Sequence, residues 1–182
     1  MSNLAVETGV DVKTISAWLS VLETSFVIHR LQPFHINFNK RIVKTPKLYF
    51  TDTGLACALL GIASADQLML HPLRGSLFEN LVISELRKTF FNEGKSPRMY
   101  FWRDNTGNEV DVIIEKSDRV TPVEIKSGKT VTPVFLKGIN YWKKISGGEH
   151  GFVIYDGDTR QVRSTGVQLL PLGYTHTVIA EL

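Results

Sequence analysis

The sequence predicts an α/β fold, because strand-like and helix-like segments alternate along its second half. Short apolar or alternating runs predict strands in R-M-Y-F-W-R-D, E-V-D-V-I-I-E, T-P-V-E-I-K-S and H-G-F-V-I-Y-D. The run V-T-P-V-F-L-K-G-I-N-Y-W-K-K-I predicts a helix before the last of these strands. A different pattern precedes them, so we expect two units with a boundary near residue 60, namely 1–60 and 61–182.

The first unit has the pattern of a truncated winged helix-turn-helix. Apolar residues at helical spacing predict a short helix and a longer one, and Gly9 supplies the turn between them. The strand-like runs F-V-I-H-R-L and K-L-Y-F-T-D follow, separated by a basic segment that would form the wing. Because a winged helix usually has a helix before this pair, we expect residues 1–182 to be the C-terminal piece of a longer protein.

Composition limits the classes of function. The chain has 182 residues, 43% of them hydrophobic, which is enough for one core of ordinary size or two small ones. A net charge of +3 permits nucleic-acid binding without requiring it. The single cysteine, Cys57, rules out an intramolecular disulfide and fits a reducing compartment. Because there is no apolar run of membrane-spanning length, we expect a cytoplasmic protein that does not bind membranes.

A winged helix predicts contacts with DNA, which is the expected partner. Residues on the outer face of the second helix would read the groove, and basic residues of the wing would contact phosphate. The candidates are Lys13, Thr14, Ser16 and Ser20 on the helix and Lys40, Arg41 and Lys44 on the wing. The alternative is a module that only joins domains or binds protein, since the helix carries a single lysine.

Loss of the first helix should also expose part of an apolar face at the N-terminus. Leu4, Val10 and Ile15 would form this face. Exposed apolar patches tend to be covered by another chain, so we expect self-association as a homo-oligomer or a mobile N-terminus.

Three helices are predicted from the end of the first unit into the start of the second. Asp52 or Thr53 caps the first, which Gly61 ends, and S-A-D-Q-L-M-L forms the second. The third begins near Ser76 and carries an apolar stripe. Glu79 would lie near its first turn, where the helix dipole favours an acid.

Charged residues interrupt two of the predicted strands. Side chains alternate along a strand, so Glu124 and Lys126 share one face while Val123 and Ile125 occupy the other. If the neighbouring strand carries Asp111 opposite them, two carboxylates and an amine converge. Such a cluster suits Mg²⁺ or Mn²⁺ and phosphodiester hydrolysis, with the lysine orienting a water and offsetting charge. The alternative is a solvated hairpin with ordinary cross-strand charge pairs.

Motifs in order along the chain resemble a known family. They are T-P-K-L-Y-F-T-D-T-G-L, L-R-G-S-L-F-E-N-L-V-I-S-E-L, M-Y-F-W-R-D-N-T-G-N-E-V-D and P-V-E-I-K-S-G. Together they resemble the C-terminal region of the archaeal-type AAA ATPase family, which consists of the DUF4143 domain after an ATP-binding module and a winged helix. The acidic residues and Lys126 also resemble the PD-(D/E)XK nuclease superfamily.

The resemblance implies a restriction-endonuclease-like mixed sheet flanked by helices. It implies Asp111 and Glu124 as metal ligands, Lys126 as the residue that assists the water, and Glu79 as a further acid of the site. The proline that names the motif does not precede Asp111. The expected function is therefore Mg²⁺-dependent DNA hydrolysis by a nuclease-like module of a AAA ATPase. The alternative is a non-catalytic module that binds DNA or protein and regulates the ATPase.

Two further segments bear on ligand binding. The run S-G-K-T at 127–130 resembles the end of a phosphate loop, but the first glycine that such a loop requires would be at position 123, which is Val123. Any ATP site would therefore lie in an upstream domain. Phe101, Trp102 and Arg103 could stack on a nucleotide base. They could equally form a buried strand in which Arg103 pairs with an acid.

Overall fold

The computed structural model describes residues 2–35, 43–117 and 119–182, and their strands form one mixed sheet of eight. In chain order the strands are β1 (Ile28–Pro33), β2 (Lys47–Phe50), β3 (Met99–Arg103), β4 (Glu109–Lys116), β5 (Arg119–Lys126), β6 (Gly151–Tyr155), β7 (Gln161–Val162) and β8 (Val167–Pro171). Their spatial order is β2-β1-β3-β4-β5-β6-β8-β7. The pairs β1–β3, β5–β6 and β6–β8 are parallel, and the others are antiparallel.

Helices flank this sheet, which confirms the predicted α/β class. They are α1 (Ser2–Thr8), α2 (Val12–Thr24), α3 (Thr53–Leu59), α4 (Ala65–Leu70), α5 (Arg74–Asn92), α6 (Lys137–Ser146) and α7 (Thr175–Ala180). The largest apolar core packs α5 and α7 against one face of the sheet, and α6 packs with β3 and β4 in a separate core on the other face. None of the helices in the described ranges is long and apolar enough to cross a membrane.

The N-terminal helix pair forms where the sequence predicts it. Asp11 caps α2, its Oδ1 accepting hydrogen bonds from the backbone N–H groups of Lys13 at 2.9 Å and Thr14 at 3.1 Å. Gly9 turns the chain with a φ of +68°, which glycine adopts without steric cost. Of the expected apolar face, Leu4 is exposed, whereas Ile15 is buried in a small core and therefore adds nothing to an exposed patch.

The hairpin that follows α2 belongs to the main sheet. β1 pairs with β2 as predicted, but its other edge pairs in parallel with β3, where Gln32 faces Tyr100 and Pro33 faces Phe101. Ile28 and Leu31 are buried on β1 as a consequence. The two strands on either side of the predicted wing therefore extend the sheet of the second unit, through a long-range pairing that no local pattern indicates. The predicted contacts Lys40 and Arg41 lie outside the described residues.

Helix α5 begins two residues before the predicted start, so Glu79 lies in its second turn instead of its first. Asn80 joins this helix to β2: its Oδ1 accepts a hydrogen bond from Phe50 N at 2.8 Å, and its Nδ2 donates to Phe50 O at 3.0 Å and Thr53 Oγ1 at 2.8 Å. The amide thus satisfies the backbone at the end of β2, in the way that another strand would.

The segment after β6, in which no strand or helix is predicted from the sequence, is part of the core. It supplies β7, β8 and α7. Val167, Leu169 and Leu170 are buried on β8, as are Val178 and Ile179 on α7. Phe101 and Trp102 are also buried, in β3, which corresponds to the buried-strand alternative and leaves neither ring free to stack on a base.

Candidate active site

The three charged residues predicted to converge lie together at one end of β4 and β5. Val112 faces Val123 across the antiparallel pair, so Asp111 and Glu124 follow as the next positions on the two strands. Because side chains alternate, Val123 and Ile125 enter the large core while Glu124 and Lys126 point to the opposite face.

Asp111 is held by the neighbouring strand. Its Oδ2 accepts a hydrogen bond from Ile125 N at 2.8 Å, and Lys126 Nζ lies 3.3 Å from the same oxygen. These interactions fix the carboxylate through one oxygen, Oδ2. Asp111 is therefore positioned by the strand pairing instead of by a flexible loop, which is the kind of support a preorganised site requires.

Glu124 is buried at 3% exposure, which is unusual for a carboxyl group. Its Oε2 accepts a hydrogen bond from Lys126 Nζ at 2.5 Å, whereas its Oε1 is buried without a hydrogen-bond partner among the described residues. Burial, and then the charge of Asp111, raise the pKa of Glu124 to about 8, against the opposing effect of Lys126. This perturbed carboxyl in a cleft is typical of a functional site.

The burial of Glu124 depends on a glycine of α6. A Cβ atom placed on Gly138 would lie 1.8 Å from Glu124 Oε1 and 2.5 Å from the carbonyl oxygen of Glu109. Only the absence of a side chain lets the start of α6 approach β4 and β5 so closely. The helix thereby closes one side of the cleft around the unpaired oxygen.

Lys126 carries the positive charge of the cluster. Burial lowers the pKa of its ammonium, but Asp111 and Glu124 together outweigh this and raise the pKa above its ordinary value. The group is therefore charged at neutral pH and lies between two carboxyl groups. Its position allows it to neutralise negative charge that gathers at this point of the cleft.

Glu79, the fourth predicted member, reaches the same cleft from α5 but has other partners. Its Oε1 accepts hydrogen bonds from Tyr49 Oη at 2.5 Å and Lys47 Nζ at 3.0 Å. Lys47 also forms an ion pair with Glu109 at 2.5 Å. The pKa of the Lys47 ammonium is raised, because the charges of Glu79 and Glu109 outweigh the effect of burial.

Lys47, Tyr49 and Glu109 are not among the site residues predicted from the sequence. A signal exists for two of them, since Lys47 and Tyr49 alternate on a four-residue strand and must share one face. The sequence does not predict that this face of β2 contacts Glu79. Helix α5 begins some 25 residues later and reaches β2 only through long-range packing. Glu109 lies two residues before Asp111 at the start of β4, but its carboxylate pairs with Lys47 and Arg103 and not with Lys126.

One cleft of about 370 Å³ contains the acids of both groups. It is lined by Glu79, Glu109, Asp111, Glu124 and Lys126, with Lys137, Gly138 and Tyr141 of α6 among the residues on its other side. A cavity of this size lies at the lower end of the range for small-ligand sites. Four carboxyl groups and two ammonium groups, those of Lys126 and Lys137, line it. This combination suits a phosphate-bearing substrate that binds together with a cation.

The donors fit a hard divalent cation in their chemistry. Asp111 and Glu124 offer carboxylate oxygens, the ligands that Mg²⁺ prefers, and Glu124 Oε1 is a buried oxygen without a protein donor in the described part of the chain. Mg²⁺ is usually held by one or two carboxylates together with waters and substrate phosphate. The described residues contain no group of three or more acidic, histidine or cysteine side chains gathered as ligands, so a protein-only cage is not formed.

The predicted DNA contacts are dispersed. Lys13 and Ser20 are exposed on α2, whereas Thr14 and Ser16 are half-buried and the Thr14 hydroxyl donates to Asp11 at 2.6 Å. Arg103 lies on β3, far along the chain from α2, and its Nε is 3.6 Å from Glu109 Oε2. Large apolar side chains, Trp18 and Val21, also occupy the exposed surface of α2.

Comparison with known proteins places this geometry in a sequence context. The family model described as domain of unknown function DUF4143 matches residues 74–175, and another described as DUF8612 matches residues 1–66. The chain is 33% identical over 132 residues to the uncharacterized protein Mb2031c of Mycobacterium bovis and to the uncharacterized protein Rv2008c of Mycobacterium tuberculosis. The alignments cover 72% of this chain but only 29% of each of these curated relatives.

Proposed function

From the premise that the chain belongs to the DUF4143 family, we propose that it is a nuclease-like module that hydrolyses phosphodiester bonds of DNA with Mg²⁺ or Mn²⁺. The observation that carries the proposal is the meeting of Asp111, Glu124 and Lys126 at one end of two paired strands, with an unpaired buried oxygen on Glu124. The family description itself assigns no activity.

The proposed metal ligands are Asp111 and Glu124, with Glu79 as a further acid of the cleft. When bound there, the cation supplies a Lewis acid for the phosphoryl oxygen and lowers the pKa of a water molecule. Glu124 must give up its proton to act as a ligand, so metal binding and deprotonation of Glu124 are linked. The backbone N–H of Ile125 holds Asp111 in place by donating to its Oδ2 at 2.8 Å.

Lys126 has the second role in the proposal. Its ammonium contacts both ligand carboxyls and carries a positive charge at neutral pH. With those carboxyls holding a cation, the Lys126 ammonium would be able to donate a hydrogen bond to a water and to offset the charge that develops on phosphate oxygens. Lys47 and Lys137 line or border the cleft and are suited to hold the flanking phosphates.

The test is cleavage of supercoiled plasmid DNA and of a labelled oligonucleotide in the presence and absence of Mg²⁺ and Mn²⁺. Asp111→Asn, Glu124→Gln and Lys126→Ala should each lower the rate by about 100-fold or more, because each removes a group that acts in the transition state. Glu93→Gln is the matched control, since Glu93 is exposed, lies outside the cleft and forms an ion pair with Lys95 at 2.6 Å. Metal-dependent cleavage that persists in Asp111→Asn would refute the assignment.

A second candidate is a non-catalytic module that regulates an attached ATPase. It is favoured by Lys126, which already bridges the two carboxyls, and by the apolar residues Trp18 and Val21 on the surface of α2, which suit a protein partner better than phosphate. This candidate predicts no heat on titration with Mg²⁺ or Mn²⁺ and no effect of Glu124→Gln on partner binding.

The proposal places the module beside a AAA-type ATP-binding domain in a longer protein. Its support is the ordered set of motifs in the sequence, together with relatives in which most of the chain lies outside the matched region. ATP hydrolysis by a full-length relative, measured with and without DNA, tests it. Absence of nucleotide hydrolysis in that protein would remove the ATPase from the proposal.

A further inference from the structure

A second pocket lies away from the cleft, between the end of α2, strand β1 and the second half of α5. Its volume is about 260 Å³, and the side chains that shape it include Glu23, Phe26, His29, Arg30, Arg87 and Lys88. It shares no lining residue with the cleft that holds Asp111 and Glu124. Neither the sequence motifs nor the proposed hydrolysis uses it.

Two guanidinium groups face this pocket against one carboxylate. Arg30 Nε lies 3.2 Å from Glu23 Oε2 without the geometry of a hydrogen bond, and Arg30 Nη2 is buried with no hydrogen-bond partner in the described part of the chain. Burial lowers the pKa of Arg87, with Glu23 acting in the opposite direction. The third cation, Lys88, is exposed and its ammonium is engaged by Glu85 at 2.7 Å. The lining therefore has unsatisfied guanidinium donors, which match phosphate oxygens in geometry.

His29 adds an unsatisfied imidazole. It is 5% exposed, and neither ring nitrogen has a hydrogen-bond partner among the described residues. The ring stacks on Tyr49 at 5.7 Å between centroids. Burial, and then the charge of Arg87, lower the pKa of His29 to about 4, so the imidazole is neutral at pH 7 and presents one donor and one acceptor. Buried polar groups normally have partners, and a ligand is one way to supply them.

Aromatic side chains stand at the rim. Phe26 is 80% exposed and has a φ of +58°, a conformation that is strained for an aromatic residue. Phe91 is also exposed, and the Arg87 guanidinium lies 5.5 Å from the centre of its ring. Strained residues at a surface cluster at ligand sites. Here the positive φ belongs to the turn that ends α2, in which Phe26 N donates to Glu23 O and Val27 N to Leu22 O, and the ring stands beside the basic pocket.

We propose that this pocket binds a nucleoside monophosphate unit, with the phosphate on Arg30 and Arg87 and the base against the aromatic rim. The guanidinium groups supply bidentate donors for phosphate, and the rings supply the stacking surface that every nucleobase accepts. The pocket is small for a ligand site, so the base is expected at the open rim. The unit can come from a free nucleotide or from the phosphorylated end of a nucleic-acid strand, which carry the same chemistry.

The first experiment is calorimetric titration of the Asp111→Asn protein, in which cleavage of the probe is blocked if the proposed hydrolysis holds. The probes are adenosine 5′-monophosphate, adenosine and inorganic phosphate. The nucleotide should bind roughly tenfold or more tightly than either half, since the guanidinium contacts and the stacking act together. No measurable binding of the nucleotide, or binding no tighter than that of phosphate, would overturn the proposal.

Variants assign the binding to this pocket. Arg87→Gln and Arg30→Gln should each weaken nucleotide binding by roughly tenfold or more. Arg98→Gln, which alters an exposed arginine outside the pocket, should leave it unchanged. Phe26→Ala changes a surface residue and should weaken binding of the nucleotide but not of phosphate. Equal affinity with and without Arg87→Gln in the Asp111→Asn protein would refute the site even if Arg30→Gln failed to fold.

Binding of short oligonucleotides distinguishes the two sources of the nucleoside monophosphate unit. A tetranucleotide with a 5′-phosphate that binds at least as tightly as the mononucleotide, and more tightly than the same strand without phosphate, identifies a strand end. Tighter binding of the mononucleotide identifies a free nucleotide. Equal binding of the strands with and without phosphate, undiminished by Arg87→Gln, would contradict both forms. Because these are binding measurements in a cleavage-blocked protein, their outcome is independent of whether the proposed hydrolysis is correct.

Discussion

Lys126 Nζ lies 2.5 Å from Glu124 Oε2, and the same ammonium lies 3.3 Å from Asp111 Oδ2. The lysine therefore occupies the position between the two carboxyls and partly neutralises them. In the proposed function these two carboxyls would hold a divalent cation, and the Lys126 ammonium would then be available to the substrate. The Lys126–Glu124 contact is thus the relationship that metal binding has to change.

Stability should fall as pH rises through the titration of Glu124. Its pKa in the folded protein is raised from 4.5 to about 8, so the folded state holds a proton that the unfolded chain has lost. The free energy of unfolding should therefore decrease between about pH 4.5 and pH 8. Glu124→Gln stays neutral and should lack this decrease, as measured by urea unfolding at pH 5, 7 and 9. Parallel pH profiles for Glu124→Gln and the Glu93→Gln control would contradict the prediction.

Gly138→Ala should destabilise the protein and disturb the cleft. The added Cβ would overlap Glu124 Oε1 and the Glu109 carbonyl oxygen, so α6 must move outward, at a cost of about 1–3 kcal/mol. Gly173→Ala is the matched control, because a Cβ atom there meets nothing within 4 Å. Chemical denaturation compares the two. An unchanged midpoint for Gly138→Ala would show that the close approach of α6 is not required.

Asn80→Ala should loosen α5 from β2. The substitution leaves the N–H of Phe50 without its side-chain acceptor and leaves the Phe50 carbonyl with only the longer hydrogen bond from Ser84 Oγ at 3.3 Å, which costs roughly 1–3 kcal/mol for buried groups. Asn92→Ala serves as the control, since Asn92 is exposed at the end of the same helix. Denaturant titration gives the difference. Equal losses in the two variants would mean that the Asn80 bridge contributes nothing beyond helix propensity.

Acid should destabilise the protein through His29. The folded pKa of about 4 lies below the ordinary value of 6.5, so the unfolded chain takes up a proton first as pH falls. The stability that depends on neutral His29 is complete above about pH 6.5 and is lost as pH falls from there toward 4. His29→Phe should remove this part of the acid sensitivity in unfolding measured from pH 7 to pH 4. The same slope in both proteins would place the acid sensitivity elsewhere.

Much of the site could be predicted because strand geometry is local. Two-residue alternation puts Glu124 and Lys126 on one face, and the hairpin turn after Asp104 sets β3 and β4 side by side. That turn is reinforced by Asp104 Oδ1, which accepts hydrogen bonds from the N–H groups of Thr106 and Asn108 at 2.9 Å each. Neither relation needs information from a distant part of the chain.

The rest depends on contacts that distant segments make. The parallel pairing of β1 with β3, which brings the strands beside the predicted wing into the main sheet, joins residues about 70 positions apart. The same holds for Lys47 and Tyr49, which meet Glu79 only because α5 packs back onto β2. The sequence does not predict the last strands because their apolar run is short, and only pairing with β6 identifies β8 as core.

The most direct test of the central claim is calorimetric titration of Mn²⁺ into the unsubstituted protein and into Asp111→Asn at pH 8. If Asp111 and Glu124 hold a cation, the unsubstituted protein binds the metal with near-unit stoichiometry, and binding in Asp111→Asn is weakened by about 10-fold or more. No heat in the unsubstituted protein, or equal affinity in both, would contradict the claim and leave Lys126 as the permanent partner of the two carboxyls.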